Sequence, residues 1–241
     1  MTETFTHGIP MITAMGRIYR IRYITLACCF FAAAFSFSIF NISNASSNLG
    51  ISDPTKFMEI PANPALLEKI RSGGYVLYMR HGRTDPHQPD QVPIDLEDCA
   101  TQRPLIDQGR AEIIMVGKAL RRAGIPISTV LVSPLCRAVE SALLAFGPDF
   151  QVENKLMYTA HLTSRQKLPI IARTLELIAT PVSEPEQNRM LVAHAPNLAD
   201  IMGYFPEREG TVIVFRPLGN GKYEYIASIL PEDWDGLLDY Q

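Results

Sequence analysis

Net charge is the first thing this sequence has little of. Its 241 residues carry 22 Lys and Arg against 25 Asp and Glu, a net charge of −3 at pH 7. No run of five like charges occurs. The electrostatic footprint of a nucleic-acid binder is missing, so nucleic acid is not an expected partner. No self-similarity appears at solenoid periods, which excludes a repeat array. No cluster of His and Cys has the spacing of a metal site, so neither metal nor cofactor is expected. Cysteine is scarce at four residues, and two of these, Cys28 and Cys29, stand in an apolar run where inert thiols are expected.

What is present is apolar weight at one end. Composition is 47% hydrophobic and 20% charged, which suits one globular domain plus a more apolar segment. Arg17, Arg20 and Arg22 precede an uncharged run from Tyr23 to Ile42, and Ser43-Asn44-Ala45 follows as a small-residue site. That order fits a secretory signal. It fits an uncleaved anchor equally, because a span needs roughly 20 apolar residues and this run sits at that margin. Residues 1–45 are therefore read as signal peptide or membrane anchor. Either version puts the N-terminus inside and the domain outside, in the periplasm or extracellular space. The membrane is a partner only if the segment stays uncleaved.

Residues 46–73 read as a linker and a short helix, Pro64 to Arg71, stopped by Gly73-Gly74. The domain is expected over 74–241. Tyr75 to Met79 is a short run rich in strand formers. Residues 82–106 lack periodicity and hold four prolines, a long loop of the kind that is functional in compact domains. Helical spacing returns from Asp107 to Ala123. Thr129 to Val132 reads as a strand, and Pro134 to Phe146 as a helix capped by Ser133. Ser164 to Ala179 reads as a helix with Pro169 as a kink or late start, Arg189 to Ala193 as a strand, and a short helix follows Pro196. Thr211 to Phe215 and Tyr223 to Ile229 read as strands joined through Gly219-Asn220-Gly221. Alternating strands and helices predict a three-layer α/β fold, with a mostly parallel sheet and an antiparallel edge.

Ligands in such sheets bind beyond the carboxyl ends of the strands. Three of these ends carry cationic or imidazole groups: Arg80-His81-Gly82, Ser133-Pro134-Leu135-Cys136-Arg137, and Ala193-His194-Ala195-Pro196. The second and third lead into helices, whose N-termini favour anions. Two imidazoles and two guanidiniums could meet on one phosphate-sized anion, and arginine suits that task through its bidentate fork. Taken singly, a histidine at a strand end is more often structural. The order of all three is what carries the reading.

At these residues the chain resembles the histidine phosphatase (phosphoglycerate-mutase-like) superfamily. Arg80-His81-Gly82 matches its signature, and Ser133-Pro134-Leu135-Cys136-Arg137-Ala138 matches its second motif. Glu140-Ser141-Ala142 continues that motif, Pro104-Leu105 through Gly109-Arg110-Ala111 resembles its helix start, and Val192-Ala193-His194 matches its second histidine. The resemblance covers roughly residues 74–230. With the apolar N-terminus and the two domain cysteines, it points to the exported branch that includes lipopolysaccharide heptose-phosphatase-like proteins. It implies a phosphoglycerate-mutase-like fold and a metal-independent phosphatase acting on a small phosphorylated substrate. His81 would be the nucleophile, forming a phosphohistidine. Arg80, Arg137 and His194 would bind the phosphoryl oxygens. A mutase is disfavoured, because its three-carbon substrates are cytoplasmic.

Two departures stand out. His87 occupies the position six after the nucleophile where mutase-like members carry Asn, and Leu156-Met157-Tyr158 holds no carboxylate where they carry a proton-donating Glu. The general acid is thus open among Asp85, Glu153 and Glu209. The alternative reading is a catalytically weak member that binds a phosphorylated ligand or partner protein. Cys99 and Cys136 form a candidate disulfide, given the export signal. Export is testable: residues 1–60 fused to a reporter that works only outside the cytoplasm should give signal. A fusion silent outside and active inside would overturn both the cleaved and the anchored versions.

Overall fold

A computed structural model describes residues 57–239. The expected signal or anchor at 1–45 lies outside the described residues. Among the described residues no helix is long and apolar enough to cross a membrane. The strands are β1 (Val76–Arg80), β2 (Ile127–Val132), β3 (Gln151–Val152), β4 (Asn188–Ala193), β5 (Val212–Gly219) and β6 (Lys222–Ile229). The helices are α1 (Pro64–Arg71), α2 (Asp107–Arg122), α3 (Cys136–Phe146), α4 (Ser164–Ala179), α5 (Ala195–Met202) and α6 (Trp234–Leu238).

The strands form one sheet in the order β3-β2-β4-β1-β5-β6. β3, β2, β4 and β1 pair in parallel, and β5 and β6 add the antiparallel edge. β1 is buried at all five positions, as a central strand covered on both faces must be. Its side chains alternate between two cores, the period of two that a pleated strand imposes. Leu77 and Met79 pack with Leu67, Ile113, Val116, Ala142 and Trp234 from α1, α2, α3 and α6. Val76 and Tyr78 pack with Leu177, Ile178 and Leu198 from α4 and α5. This is the three-layer, mostly parallel architecture with an antiparallel edge that the sequence leads one to expect.

Register places the site. Arg80 of β1 lies opposite Ala193 of β4, and Val132 of β2 lies opposite Val192 of β4. The ladder runs one step past both ends, with His81 N–H donating to the Ala193 carbonyl at 3.0 Å and Ser133 N–H to the Val192 carbonyl at 2.9 Å. The three chain segments expected to carry chemistry therefore leave the sheet side by side.

Three expectations need correction. Residues 57–63 are not a free linker: Phe57 stacks on Tyr204 with centroids 4.4 Å apart, and Ala62 N–H donates to Ser228 of β6 at 3.0 Å. The folded unit thus begins well before residue 74. Helix α3 begins at Cys136, not Pro134, and Ser133 is not its cap. The Ser133 hydroxyl lies 2.7 Å from the His194 imidazole, and Gln102 from the long loop accepts the Cys136 N–H at 2.9 Å instead. Pro169 does not delay α4, which runs from Ser164 with a capping box at Thr163. The two-residue strand β3, too short to leave a periodic pattern, is an addition to the expected set.

The turn after the nucleophile position depends on close backbone approach. A Cβ on Gly82 would stand 2.6 Å from Ile113 of α2, and one on Gly109 would stand 2.2 Å from the Arg83 carbonyl oxygen. The missing side chain of Gly82 is what permits this contact with α2. Gly109→Ala should therefore destabilise the fold by about 1–3 kcal/mol, because backbone must move on both sides. Gly236→Ala, with nothing within 4 Å of its new methyl, is the control and should not destabilise. Urea unfolding midpoints of the two variants check this, and equal midpoints would contradict it.

Candidate active site

His81 is the first residue beyond β1, and its side chain is 1% exposed. Its Nδ1 lies 2.9 Å from the Gly82 carbonyl oxygen. A carbonyl only accepts, so Nδ1 holds the hydrogen and Nε2 keeps its lone pair. Burial first, then the charges of Arg137 and Arg80, push the imidazole well below the ordinary histidine range. The ring is neutral at neutral pH. Its backbone is held on both sides: Gly210 N–H donates to the His81 carbonyl at 3.0 Å, and Gly82 N–H donates to the Ser141 hydroxyl at 3.0 Å.

His194 caps α5 and is fully buried. Its ring centroid is 5.2 Å from that of His81. Tyr78 in β1 brackets its backbone, donating to the His194 carbonyl at 2.8 Å and accepting its N–H at 3.1 Å. Burial, then Arg137, lower the His194 pKa well below the ordinary range.

Arg137, in the first turn of α3, is 1% exposed. Its Nη1 pairs with Asp90 Oδ1 at 2.8 Å, and its guanidinium lies 5.1 Å from the Tyr158 ring centroid. Arg80 donates through Nη1 to the carbonyls of Pro206 at 2.7 Å and Glu207 at 2.6 Å. Its Nη2 lies 3.3 Å from Glu209 Oε1. A third arginine, Arg103, was not expected; its charge acts on both histidines and on Arg80 and Arg137. Nε of Arg80, Nε of Arg103, Nε and Nη2 of Arg137, and Nδ1 of His194 are buried and have no protein partner. Buried polar groups are otherwise almost always paired. Four cationic N–H groups and one imidazole nitrogen thus remain for a single anion.

The three expected carboxylates separate. Glu209 reaches the site: Oε1 accepts from the Thr84 hydroxyl at 2.8 Å and stands 3.9 Å from His81 Nδ1. Asp85 accepts the His87 N–H at 2.8 Å within an exposed turn. Glu153 pairs with Arg173 at 2.9 Å and accepts the Lys155 N–H, contacts that lower its pKa against the effect of burial. Neither Asp85 nor Glu153 contacts the histidines or the arginines of the cage, and His87 is exposed. Sequence reasoning missed Asp90, Arg103, Tyr158 and His161. They stand in segments without periodicity, where only contact with the motif residues reveals them.

Comparison with known proteins gives two kinds of answer. No family model matches the chain, and no curated protein matches it. Solved structures do. One is the protein histidine phosphatase SixA complexed with tungstate, at 19% identity over 66% of this chain and 98% of that chain, TM-score 0.45. Another is mycobacterial glucosyl-3-phosphoglycerate phosphatase with VO3, at 19% identity over 64% of this chain and 98% of that chain, TM-score 0.46. A third, YhfR of Bacillus stearothermophilus, has 16% identity over 64% of this chain and 95% of that chain, TM-score 0.43. The chain is similar to histidine phosphatases.

Cys99 and Cys136 form a disulfide, with Cα atoms 5.7 Å apart. It ties the loop that carries Asp90 and Arg103 to the residue preceding Arg137. Closing a loop across 37 residues is worth roughly 3–4 kcal/mol on chain entropy.

The two buried imidazoles set a pH dependence. Their folded pKa values lie below the ordinary 6.5, so below that pH the unfolded chain binds protons that the folded chain does not. The stability they contribute is complete above pH 6.5 and is lost as pH falls towards the folded values. Proton NMR should show neither ring titrating near 6.5, with unfolding midpoints falling on acidification. A normal titration of either ring would contradict the burial argument.

Proposed function

We propose that this chain is a metal-independent phosphatase of the histidine phosphatase superfamily. It hydrolyses a small phosphate ester through a phosphohistidine on His81, and its N-terminal segment exports it or tethers it to a membrane. The observation that carries the reading is the set of buried, unpartnered nitrogens of Arg80, Arg103, Arg137 and His194 around a neutral imidazole. A dianion satisfies them all at once, and a phosphoryl group presents the matching oxygens.

The chemistry follows from the placement. Nε2 of His81 attacks phosphorus, while Nδ1 keeps its hydrogen and donates it to the Gly82 carbonyl oxygen, which stabilises the positive charge that develops on the ring. The Nε–Nη2 edge of Arg137, together with Arg80, Arg103 and His194, holds the equatorial oxygens. Water then attacks phosphorus and releases phosphate, restoring the imidazole. Ser133 fixes the His194 ring through its contact at Nε2, leaving Nδ1 for the phosphoryl group.

His81→Ala should lower turnover of a phosphate-ester panel on the order of 10⁴-fold or more, because no other group makes the bond. Vanadate should inhibit competitively. Arg137→Lys should recover only part of what Arg137→Ala loses, since a point charge does not replace a fork. Acid-quenched protein mixed with labelled ester should carry the label on His81. Turnover by His81→Ala close to that of the parent protein would overturn the reading.

A further inference from the structure

A carboxylate that none of the recognised motifs contains is built into the phosphate clamp. Asp90 stands in the long loop after the nucleophile, and its side chain is 3% exposed. Oδ1 accepts from Arg137 Nη1 and from the Arg103 backbone N–H, both at 2.8 Å. Oδ2 faces Nε2 of His161 at 3.8 Å, a ring whose side chain is 36% exposed. Arg137 and His161 are the basic side chains within salt-bridge distance of Asp90 among the described residues.

We propose that Asp90 is the proton donor to the departing oxygen, with His161 as a positioning residue that links it to solvent. This rests on the phosphohistidine reading above. Arg137 divides its donors in a way that allows it. Nη1 is held by Asp90, whereas Nε and Nη2 have no protein partner and form the bidentate edge that takes a phosphoryl group. Asp90 therefore stands beside the phosphoryl seat and does not occupy it. Oδ1 is committed to two N–H donors, and Oδ2 is left to carry a proton.

Glu209 is the competing carboxylate, and its position argues against it. It borders the Nδ1 edge of His81, and its oxygens are engaged by the Thr84 hydroxyl, the Thr84 N–H and Arg80. Attack comes from Nε2, and the leaving oxygen departs in line on the far side of phosphorus. Glu209 lies on the Nδ1 side of the His81 ring, away from Nε2.

In the first step the Nε2–P bond forms and the P–O ester bond breaks. The bonding pair goes to the departing oxygen, which takes the proton from Asp90 Oδ2. In the second step water attacks phosphorus, the Nε2–P bond breaks, and the Asp90 carboxylate takes the water proton. In the proposed cycle the proton sits on Oδ2, the oxygen that accepts from neither Arg137 nor the Arg103 N–H. His161 can pass the proton inward from solvent.

The test compares esters that need a proton on departure with those that do not. Single-turnover formation of phosphohistidine is measured in the full chain with glycerol phosphate and with p-nitrophenyl phosphate. Asp90→Asn keeps an oxygen that accepts from Arg137 and Arg103. It should slow transfer from glycerol phosphate roughly 100-fold or more, and transfer from p-nitrophenyl phosphate less than about tenfold. Vanadate affinity should change little, and Asp90→Glu should recover part of the lost alkyl-ester rate. An equal loss on both esters, or a parallel loss of vanadate affinity, would make Asp90 a brace for Arg137 and overturn the proposal. So would an undiminished alkyl-ester rate in Asp90→Asn, or a parent protein that accepts only the aryl ester. Absence of phosphohistidine from either ester in the parent protein would instead remove the underlying reading.

Discussion

Buried positive charge is the constraint on which the rest of this structure depends. Three guanidiniums gather around two imidazoles at the carboxyl ends of β1, β2 and β4, with several of their nitrogens unpaired by protein. An unsatisfied buried donor costs about 1–3 kcal/mol, more when charged. A fold carries that cost only if other contacts offset it. The offsets are visible: carbonyls of Pro206 and Glu207 on Arg80, Asp90 and the Tyr158 ring on Arg137, Glu209 on Arg80. They leave Nε of Arg80 and the Nε–Nη2 edge of Arg137 without a protein partner. Burial, together with the charges of the same arginines, lowers the pKa values of His81 and His194 well below the ordinary range.

The sheet makes this arrangement rigid without placing the charged groups inside it. Arg80 ends β1, and His81, Ser133 and His194 each stand one step beyond the last paired residue of β1, β2 and β4. The backbone of each is fixed by the ladder, and the side chains need only short-range restraints. Ser133 restrains His194, the Gly82 carbonyl restrains His81, and Tyr78 reaches up from within β1 to hold the His194 backbone. Preorganisation of this kind is what lets electrostatic stabilisation act at the transition state without reorganisation.

The sequence disclosed the parts of the site that lie on regular elements. β1, β4, α2, α4 and the β5–β6 hairpin were legible because hydrophobic periodicity and glycine punctuation mark them, and Arg80, His81 and His194 sit where β1 and β4 end. The start of α3 was misplaced because a serine followed by proline has the local form of a cap. The actual partner of the Cys136 N–H is Gln102, 34 residues earlier. Asp90 and Arg103 were invisible for the same reason. Nothing local distinguishes a buried carboxylate in an aperiodic loop from a solvated one. What buries it is a tertiary pairing, here with an arginine 47 residues away.

That loop brings a carboxylate and a guanidinium to the start of α3. Its two ends are fixed, one by the nucleophile turn and the other by α2, and Gln102 and the Cys99–Cys136 disulfide fasten its middle to the start of α3. Asp90 and Arg103 hang from it, and their mutual contact runs through the Arg103 backbone N–H. A movement of the loop would therefore displace a carboxylate and a guanidinium together. Placing both charges on one fastened segment keeps their balance at the clamp constant, so the field at His81 does not depend on the two groups arriving independently. A disulfide adjacent to the clamp stiffens the element that the sheet cannot reach.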